Sequence, residues 1–272
     1  MTQIKNKVVL VTGGASGIGK LMGEMCLRKG AERLVIWDIN AENLATVSDA
    51  FRKEGYSVHP YLVDVSSVES IEAAAAQTLA DVKRVDILFN NAGIVAGNKE
   101  FHEHTADDIE RTMRINSLGV MHVARVFLGK MIANGNGHII NIASAAGLTP
   151  NPKMSVYSGS KFAVVGWSES LRLELEAMKG KDLHVTTVCP SFITTGMFAG
   201  VKEPLFTPSL SPEKIAERVI EAVKDNEIMV IEPFTAKLVP ILRGLLPTRL
   251  YDFVAGDIFD AHSSMNNFTG RK

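Results

Sequence analysis

The sequence predicts an α/β fold built on a doubly wound, mostly parallel sheet, and three observations predict it. Short, wholly apolar runs recur along the chain, as strands buried on both faces require. Amphipathic stretches of helical length alternate with them. The first apolar run passes straight into a glycine-rich turn and then a helix, the setting a dinucleotide site needs. The 272 residues fit one large domain or two small ones, and no change of composition marks a boundary. The chain is therefore read as a single domain, 1–272, on a seven-stranded sheet flanked by helices.

Composition narrows the function classes. Hydrophobic residues make up 46% and charged residues 22%, ordinary for a globular protein. A net charge of −1 disfavours nucleic acid as a partner. Two cysteines, Cys26 and Cys189, give no disulfide framework and point to a reducing compartment, the cytoplasm. The N-terminal stretch before Val8 has no signal-like apolar core, and no run of about 18 apolar residues, the length a membrane-spanning helix needs, occurs in the sequence. No Cys or His cluster has zinc spacing, so no metal is expected. His102 and His104 read as part of a solvated loop.

Val8 to Val11 is the first strand. It leads into Thr12, Gly13, Gly14, Ala15, Ser16, Gly17, Ile18 and Gly19, then a helix to about Arg28, stopped by Gly30. The glycines let backbone approach a pyrophosphate at the helix N-terminus. The second strand, Arg33 to Trp37, ends in Asp38, which lies 19 residues past Gly19 where a ribose-binding carboxylate is expected. A carboxylate there accepts from both ribose hydroxyls and repels a 2′-phosphate. Ser16, Ile39 and Asn40 offer no compensating positive charge, so NAD is favoured over NADP. Capping the next helix is the other role open to Asp38, but Asn40 suits it better.

A third strand, Val58 to Val63, brings Asp64 to the adenine end of the cleft; Ser66 or Ser67 can cap the helix that follows, Val68 to Leu79. The fourth strand, Val85 to Phe89, runs into the turn Asn90, Asn91, Ala92, Gly93, beside the first glycine loop. A helix around Asp107 to Lys130 carries Asn116 in an apolar stretch. A buried Asn needs partners, either at a backbone kink or on a water in a proton path. The fifth strand, His138 to Ala143, ends at Ser144. The sixth, Leu183 to Cys189, is followed by Pro190 and Ser191. From about 196 to 212 the chain turns irregular beside the crevice, the pattern of a substrate lid. Ser211 and Pro212 start a helix to about Asp225, and Glu227 to Ile231 is the seventh strand.

Ser144 precedes Tyr157 by 13 residues of loop-like sequence, enough to bring its hydroxyl back to face the phenol. Tyr157 and Lys161 stand four apart at the head of a long apolar helix, on one face. Such a pair suits proton transfer at an alcohol oxygen. Phenolate at neutral pH needs a downward shift of roughly 3 units from ~10, or about 4 kcal/mol. A unit charge at about 4 Å in an effective dielectric of about 20 supplies roughly 4 kcal/mol. One lysine is of the right size. Alone, the spacing also fits a helix with a core Tyr and a surface Lys.

Together these motifs resemble the short-chain dehydrogenase/reductase superfamily, from about Lys5 to Ile231. The TGxxxGxG pattern is Thr12, Gly13, Gly17 and Gly19, and NNAG is Asn90 to Gly93. The resemblance implies Asn116, Ser144, Tyr157 and Lys161 as the catalytic set. Tyr157 would be the general acid/base, Lys161 would bind the nicotinamide ribose and lower the Tyr pKa, Ser144 would orient the substrate oxygen, and Asn116 would support a water-linked relay. It implies cofactor contacts from Gly13, Ser16, Gly17, Ile18, Gly19, Asp38, Asp64, Val65, Asn90, Ala92, Gly93, Tyr157, Lys161, Pro190, Ile193 and Thr195. Pro190-Ser191 departs from the Pro-Gly pattern of the family. Similar proteins pair the helices near 107–130 and 155–178 into homodimers or homotetramers.

A finer resemblance, in Leu34 to Asn40 and in the tail Met265 to Arg271, is to the group containing retinol dehydrogenases and lipid-associated hydroxysteroid dehydrogenases. It implies a bulky apolar alcohol or ketone as substrate. The C-terminal segment, 233–272, crowds Phe234, Leu238, Val239, Ile241, Leu242, Leu245, Leu246, Leu250, Tyr251, Phe253 and Val254 together, with Lys237, Arg243 and Arg249 interspersed. Three roles are open to it: a lid over the substrate, a face lying on a membrane, or oligomer packing. Rival functions are a reductase of small or thioester-bound oxo groups and a non-catalytic NAD sensor on the same fold.

Overall fold

The apolar runs at the heart of the first, second and fourth strands are buried because both of their faces are covered. The computed structural model describes residues 1–270 except Ala96, Gly196, Phe198, Ala199, Pro204 and Phe206. In chain order the elements are β1 Val8–Thr12, α1 Gly17–Arg28, β2 Arg33–Asp38, α2 Ala41–Lys53, β3 Val58–Leu62, α3 Val68–Val82 and β4 Ile87–Asn90. Then come α4 Ala106–Met113, α5 Val120–Asn134, β5 Asn136–Ile142, α6 Ser155–Glu176, β6 Asp182–Pro190, α7 Pro212–Asp225, β7 Met229–Glu232, α8 Leu238–Leu245 and α9 Thr248–Phe253. Val9, Val11, Leu34, Ile36, Ile87 and Phe89 pack on one side with residues of α1, α2 and α7. Val8, Leu10, Val35, Trp37 and Leu88 pack on the other with α3, α5 and α6.

The seven strands order as β3-β2-β1-β4-β5-β6-β7 and every pairing is parallel, so the sheet is parallel throughout. The strand order reverses between β1 and β4. A crevice opens there at the carboxyl ends, where sheets of this kind bind ligands. The first glycine turn follows β1 and the Asn90–Gly93 turn follows β4, so topology alone brings the two motifs together.

Caps follow the expected chemistry. Asn40 accepts from Asn43 N, Ser67 from Ser70 N and Ser211 from Lys214 N, with Pro212 in the first helical position. Departures have physical causes. β4 starts at Ile87 instead of Val85, because the Asp86 carboxylate accepts from Val8 N (2.8 Å) and Arg84 Nε (2.9 Å). β7 starts at Met229 instead of Glu227, whose carboxylate grips Arg218 at 2.6 and 2.8 Å. The helix expected over 107–130 is broken by a π-turn, Arg114–Gly119, centred on Asn116. His102 is exposed, but His104 is not solvated: its side chain is 2% exposed and its ring lies 6.3 Å from that of Phe101, tilted by 43°.

Candidate active site

The crevice at the switch point is a cleft of about 1400 Å³, solvent-open mouth included. Gly13, Ser16, Gly17 and Ile18 form one wall, and Asp38, Asp64 and Val65 close one end. Ala92, Gly93, Tyr157, Lys161, Pro190, Ile193 and Thr195 also line it. Gly19 lies behind the wall. A Cβ there would sit 2.3 Å from Gly13 O and 2.5 Å from Asn91 Nδ2, so only glycine lets the turn fold back on α1. Ser16, at the N-cap of α1, makes no side-chain cap bond, which leaves the first-turn amides without a side-chain acceptor. Open amides beside glycines fit a pyrophosphate.

At the far end, Asp38 Oδ2 accepts from Ala15 N (2.9 Å) and Oδ1 from Asn40 N (3.0 Å). Both bonds fix the carboxylate at the cleft edge. Asp64 folds into its own turn, accepting from Ser66 N (2.8 Å) and Ser66 Oγ (2.7 Å), while Ser67 caps α3. Besides Gly19, two expected site residues are not in the wall. Asn90 is 1% exposed and its amide donates to Asn141 Oδ1 (2.9 Å), tying β4 to β5. The lining residue of that pair is Asn91, whose Nδ2 donates to Thr12 O (3.0 Å). Asn116 is wholly buried, with Oδ1 accepting from Ile94 N (2.8 Å) and Nδ2 donating to Ile94 O (2.9 Å) and Ser160 Oγ (3.1 Å). Its amide is spent on protein groups at the kink. Sequence reasoning also missed Arg111, an exposed cation on α4 that lines the cleft. No motif marks it.

Ser144, Tyr157 and Lys161 meet as the spacing predicts. Gly147 is why: a Cβ there would lie 2.7 Å from Lys161 O, so the loop after β5 presses flat onto α6. The Ser144 hydroxyl hydrogen-bonds Tyr157 and accepts from Ala146 N (3.1 Å). Tyr157 and Lys161 are 7% and 4% exposed, so the lysine is no surface residue. Lys161 Nζ donates to Ile142 O (2.9 Å) and stands 5.8 Å from the Tyr157 ring centroid. The electrostatics differ from expectation. Burial pushes Tyr157 up to about 12, opposed by the Ser144 hydrogen bond. Burial likewise lowers Lys161 to about 8, and Cys189, itself raised to about 12 by burial, opposes that. At this distance and burial the lysine alone does not generate phenolate.

A second cleft, about 1000 Å³ with its mouth, adjoins the first. Met154, Phe192, Leu238, Val239, Leu242 and Val254 make its wall largely apolar. The C-terminal segment supplies one side of it, which is the lid role among the three open to that segment. Arg243 is committed inward, donating to Leu148 O (2.6 Å) with its guanidinium 5.2 Å over the Phe162 ring. Of the expected lid at 196–212, Thr207 lines this cleft and Met197 the other, while Lys202 N and Leu205 N donate to Ser264 O and Phe259 O (both 2.9 Å). Gly196, Phe198, Ala199, Pro204 and Phe206 of that lid, and Arg271 of the tail, lie outside the described residues. Ser144, Tyr157 and Ser191 belong to both clefts.

A site of this shape, dinucleotide cleft on one side and apolar cleft on the other of a Ser-Tyr-Lys cluster, belongs to a dehydrogenase. The family model for short chain dehydrogenases matches residues 7–205, and the chain belongs to the short-chain dehydrogenase/reductase family. It is an oxidoreductase acting on CH–OH groups with a nicotinamide cofactor. Among curated relatives it is 35% identical to epidermal retinol dehydrogenase 2 of Mus musculus over 99% of this chain and 87% of that protein. It is 34% identical to estradiol 17-beta-dehydrogenase 11 of Rattus norvegicus over 95% of this chain and 87% of that one. Among solved structures, a short-chain dehydrogenase/reductase from Burkholderia phymatum in complex with NAD superposes with a TM-score of 0.81 at 29% identity, covering 90% of this chain and 96% of that one. The retinol and hydroxysteroid dehydrogenase group expected from Leu34 to Asn40 and from the tail Met265 to Arg271 is thus the group in which the chain finds its relatives.

Proposed function

We propose that the protein interconverts a hydroxyl and a carbonyl on a bulky apolar substrate of steroid, retinoid or long-chain type, using NAD. The observation that carries this reading is that Ser144 and Tyr157 stand where the two clefts meet. A reacting carbon held there touches the proton donor from one cleft and the nicotinamide from the other. Relatives named for retinol and estradiol support the substrate class, and so does the apolar wall. Asp38, fixed by Ala15 N and Asn40 N, supports NAD over NADP.

Gly13, Ser16, Gly17, Ile18, Asp38, Asp64, Val65, Ala92, Gly93, Pro190, Ile193 and Thr195 would hold the cofactor, which supplies the hydride acceptor or donor when bound. Ser144 holds the substrate oxygen by its hydroxyl. Tyr157 passes a proton to or from that oxygen. With its pKa raised by burial it is protonated at neutral pH, the form that serves carbonyl reduction. Alcohol oxidation needs the phenolate, so its rate rises with pH. Lys161, charged below about 8, adds positive potential behind the phenol, and Asn116 pins the Ile94 backbone next to Gly93. A reductase of small or thioester-bound oxo groups has less support, since little of the wall is polar.

The proposal extends to where the enzyme works: the cytoplasm, as a homodimer or homotetramer, touching a membrane through the outer face around α8 and α9. That face exposes Phe234, Ile241, Leu245 and Phe253, with Leu245 75% exposed. NADH formation from NAD⁺ with short aliphatic, long-chain, steroid and retinoid alcohols, with Tyr157→Phe in parallel, tests the chemistry. Turnover of the bulky alcohols that vanishes in the variant supports it; turnover of small polar substrates alone sinks the apolar class.

A further inference from the structure

We propose that the hydroxyl pair Thr149–Tyr251 in the apolar cleft recognises a second oxygen on the substrate, a hydroxyl or carbonyl other than the one that reacts. The inference rests on reading this cleft as the substrate site. Thr149 lies in the loop after β5 and Tyr251 on α9; Thr149 Oγ1 and Tyr251 Oη are 2.6 Å apart, and both residues line the cleft. Each hydroxyl brings one proton and two lone pairs. One proton lies between the two oxygens. The other has no acceptor among the described residues, since neither hydroxyl makes a further hydrogen bond.

An unspent donor in largely apolar surroundings is costly unless a ligand accepts from it. Tyr251 is 6% exposed, and Leu242 and Val254 line the same wall. The pair is not needed to hold the C-terminal segment in place. The residue before Thr149 already does that, its carbonyl accepting from Arg243 Nη1 at 2.6 Å. The pair therefore acts as a polar mark on an apolar wall. It donates one proton outward and accepts through its remaining lone pairs, so a ligand hydroxyl and a ligand carbonyl both satisfy it. The protein then selects apolar substrates with two oxygens over those with one.

The test is calorimetric titration of the NADH-saturated protein with a saturated steroid mono-alcohol and with the diol of the same skeleton. With NADH bound neither alcohol is oxidised, so binding is read without turnover. The wild type is expected to bind the diol about tenfold more tightly, the worth of a hydrogen bond left unmade by the mono-alcohol. Thr149→Val and Tyr251→Phe each keep part of the preference, because the remaining hydroxyl still donates. The double variant loses it, and Thr149→Ser retains it. Equal binding of both ligands to the wild type, or a preference that survives the double variant, overturns the proposal. So does an equal loss of affinity for both ligands in the variants, which marks the pair as a structural tie. In each of those cases turnover of apolar alcohols still supports the proposed function; failure of both ligands to bind overturns the proposal and removes the steroid type from the proposed substrates, leaving the retinoid and long-chain types to the turnover assay.

Discussion

The two clefts that meet at Tyr157 are built in opposite ways. The dinucleotide cleft is made by turns at the carboxyl ends of the strands, so the sheet fixes its geometry, and backbone amides, Asp38, Asp64 and Asn91 make its wall more polar than that of its neighbour. The apolar cleft owes much of its wall to chain that follows β6, including α8 and α9 of eight and six residues. Helices that short do not hold themselves; packing holds them. The difference teaches that the reaction is fixed by the rigid side and the choice of substrate by the adaptable one. A substitution on one side should therefore leave the other side's ligand alone, with Tyr157 as the exception that both sides feel.

Tyr157→Phe is the largest expected effect. It removes the proton donor and keeps the ring, so turnover falls by about 10²–10⁴-fold, while NADH binding, followed by its fluorescence, stays within a few-fold. Loss of NADH binding as well would mean that the two sides are not separable at this residue. Asp38→Asn comes next. It keeps the shape and one acceptor oxygen but removes the charge that repels a 2′-phosphate. The NADH-to-NADPH preference is expected to fall by about 10–100-fold, the worth of a charged hydrogen bond or two. An unchanged ratio would shift attention to Arg111 on the same wall. Leu242→Ala is smaller: losing a cleft contact of this size raises KM for apolar alcohols by about tenfold and leaves the KM for NAD⁺ alone.

The same contrast decided what was legible in the sequence. Gly13, Asp38, Tyr157 and the strand runs were readable because sheet topology demands particular residue types at particular spacings. Asn90 and Asn91 were harder: adjacent residues at a strand end point in opposite directions, and only the packing of β4 on β5 shows that the first is structural and the second faces the cleft. Asn116 was legible as a buried polar group, but its partners at Ile94 come from a turn far away in sequence. The electrostatics of Tyr157 and Lys161 were misjudged because spacing along a helix gives direction, not burial. For the C-terminal segment, composition gave its apolar character and nothing about which face turns inward. That is set by where Arg243 finds the Leu148 carbonyl, 95 residues earlier.

Lys161 yields the smallest effect and the one that separates function from stability most cleanly. Its ammonium is buried, and its pKa falls from 10.5 to about 8. The unfolded chain therefore takes up this proton first as pH falls from about 10.5, and the folded state is penalised increasingly until about pH 8, below which the penalty is constant. A drop of that size corresponds to about 3 kcal/mol. Tyr157 and Cys189, both near 12 when folded, stay protonated in the folded state through this window, and their titration in the unfolded chain is common to wild type and variant. Lys161→Met removes the penalty but leaves Ile142 O without its donor, at a pH-independent cost of about 1–3 kcal/mol. The two nearly cancel at neutral pH, so the variant is expected to be less active than the wild type yet to melt close to it. Its stability relative to the wild type should rise by several degrees as pH is lowered from about 10.5 to 8. A relative stability that stays flat across this window would mean that Lys161 keeps its ordinary pKa, and that the phenol beside it feels a full positive charge throughout the neutral range.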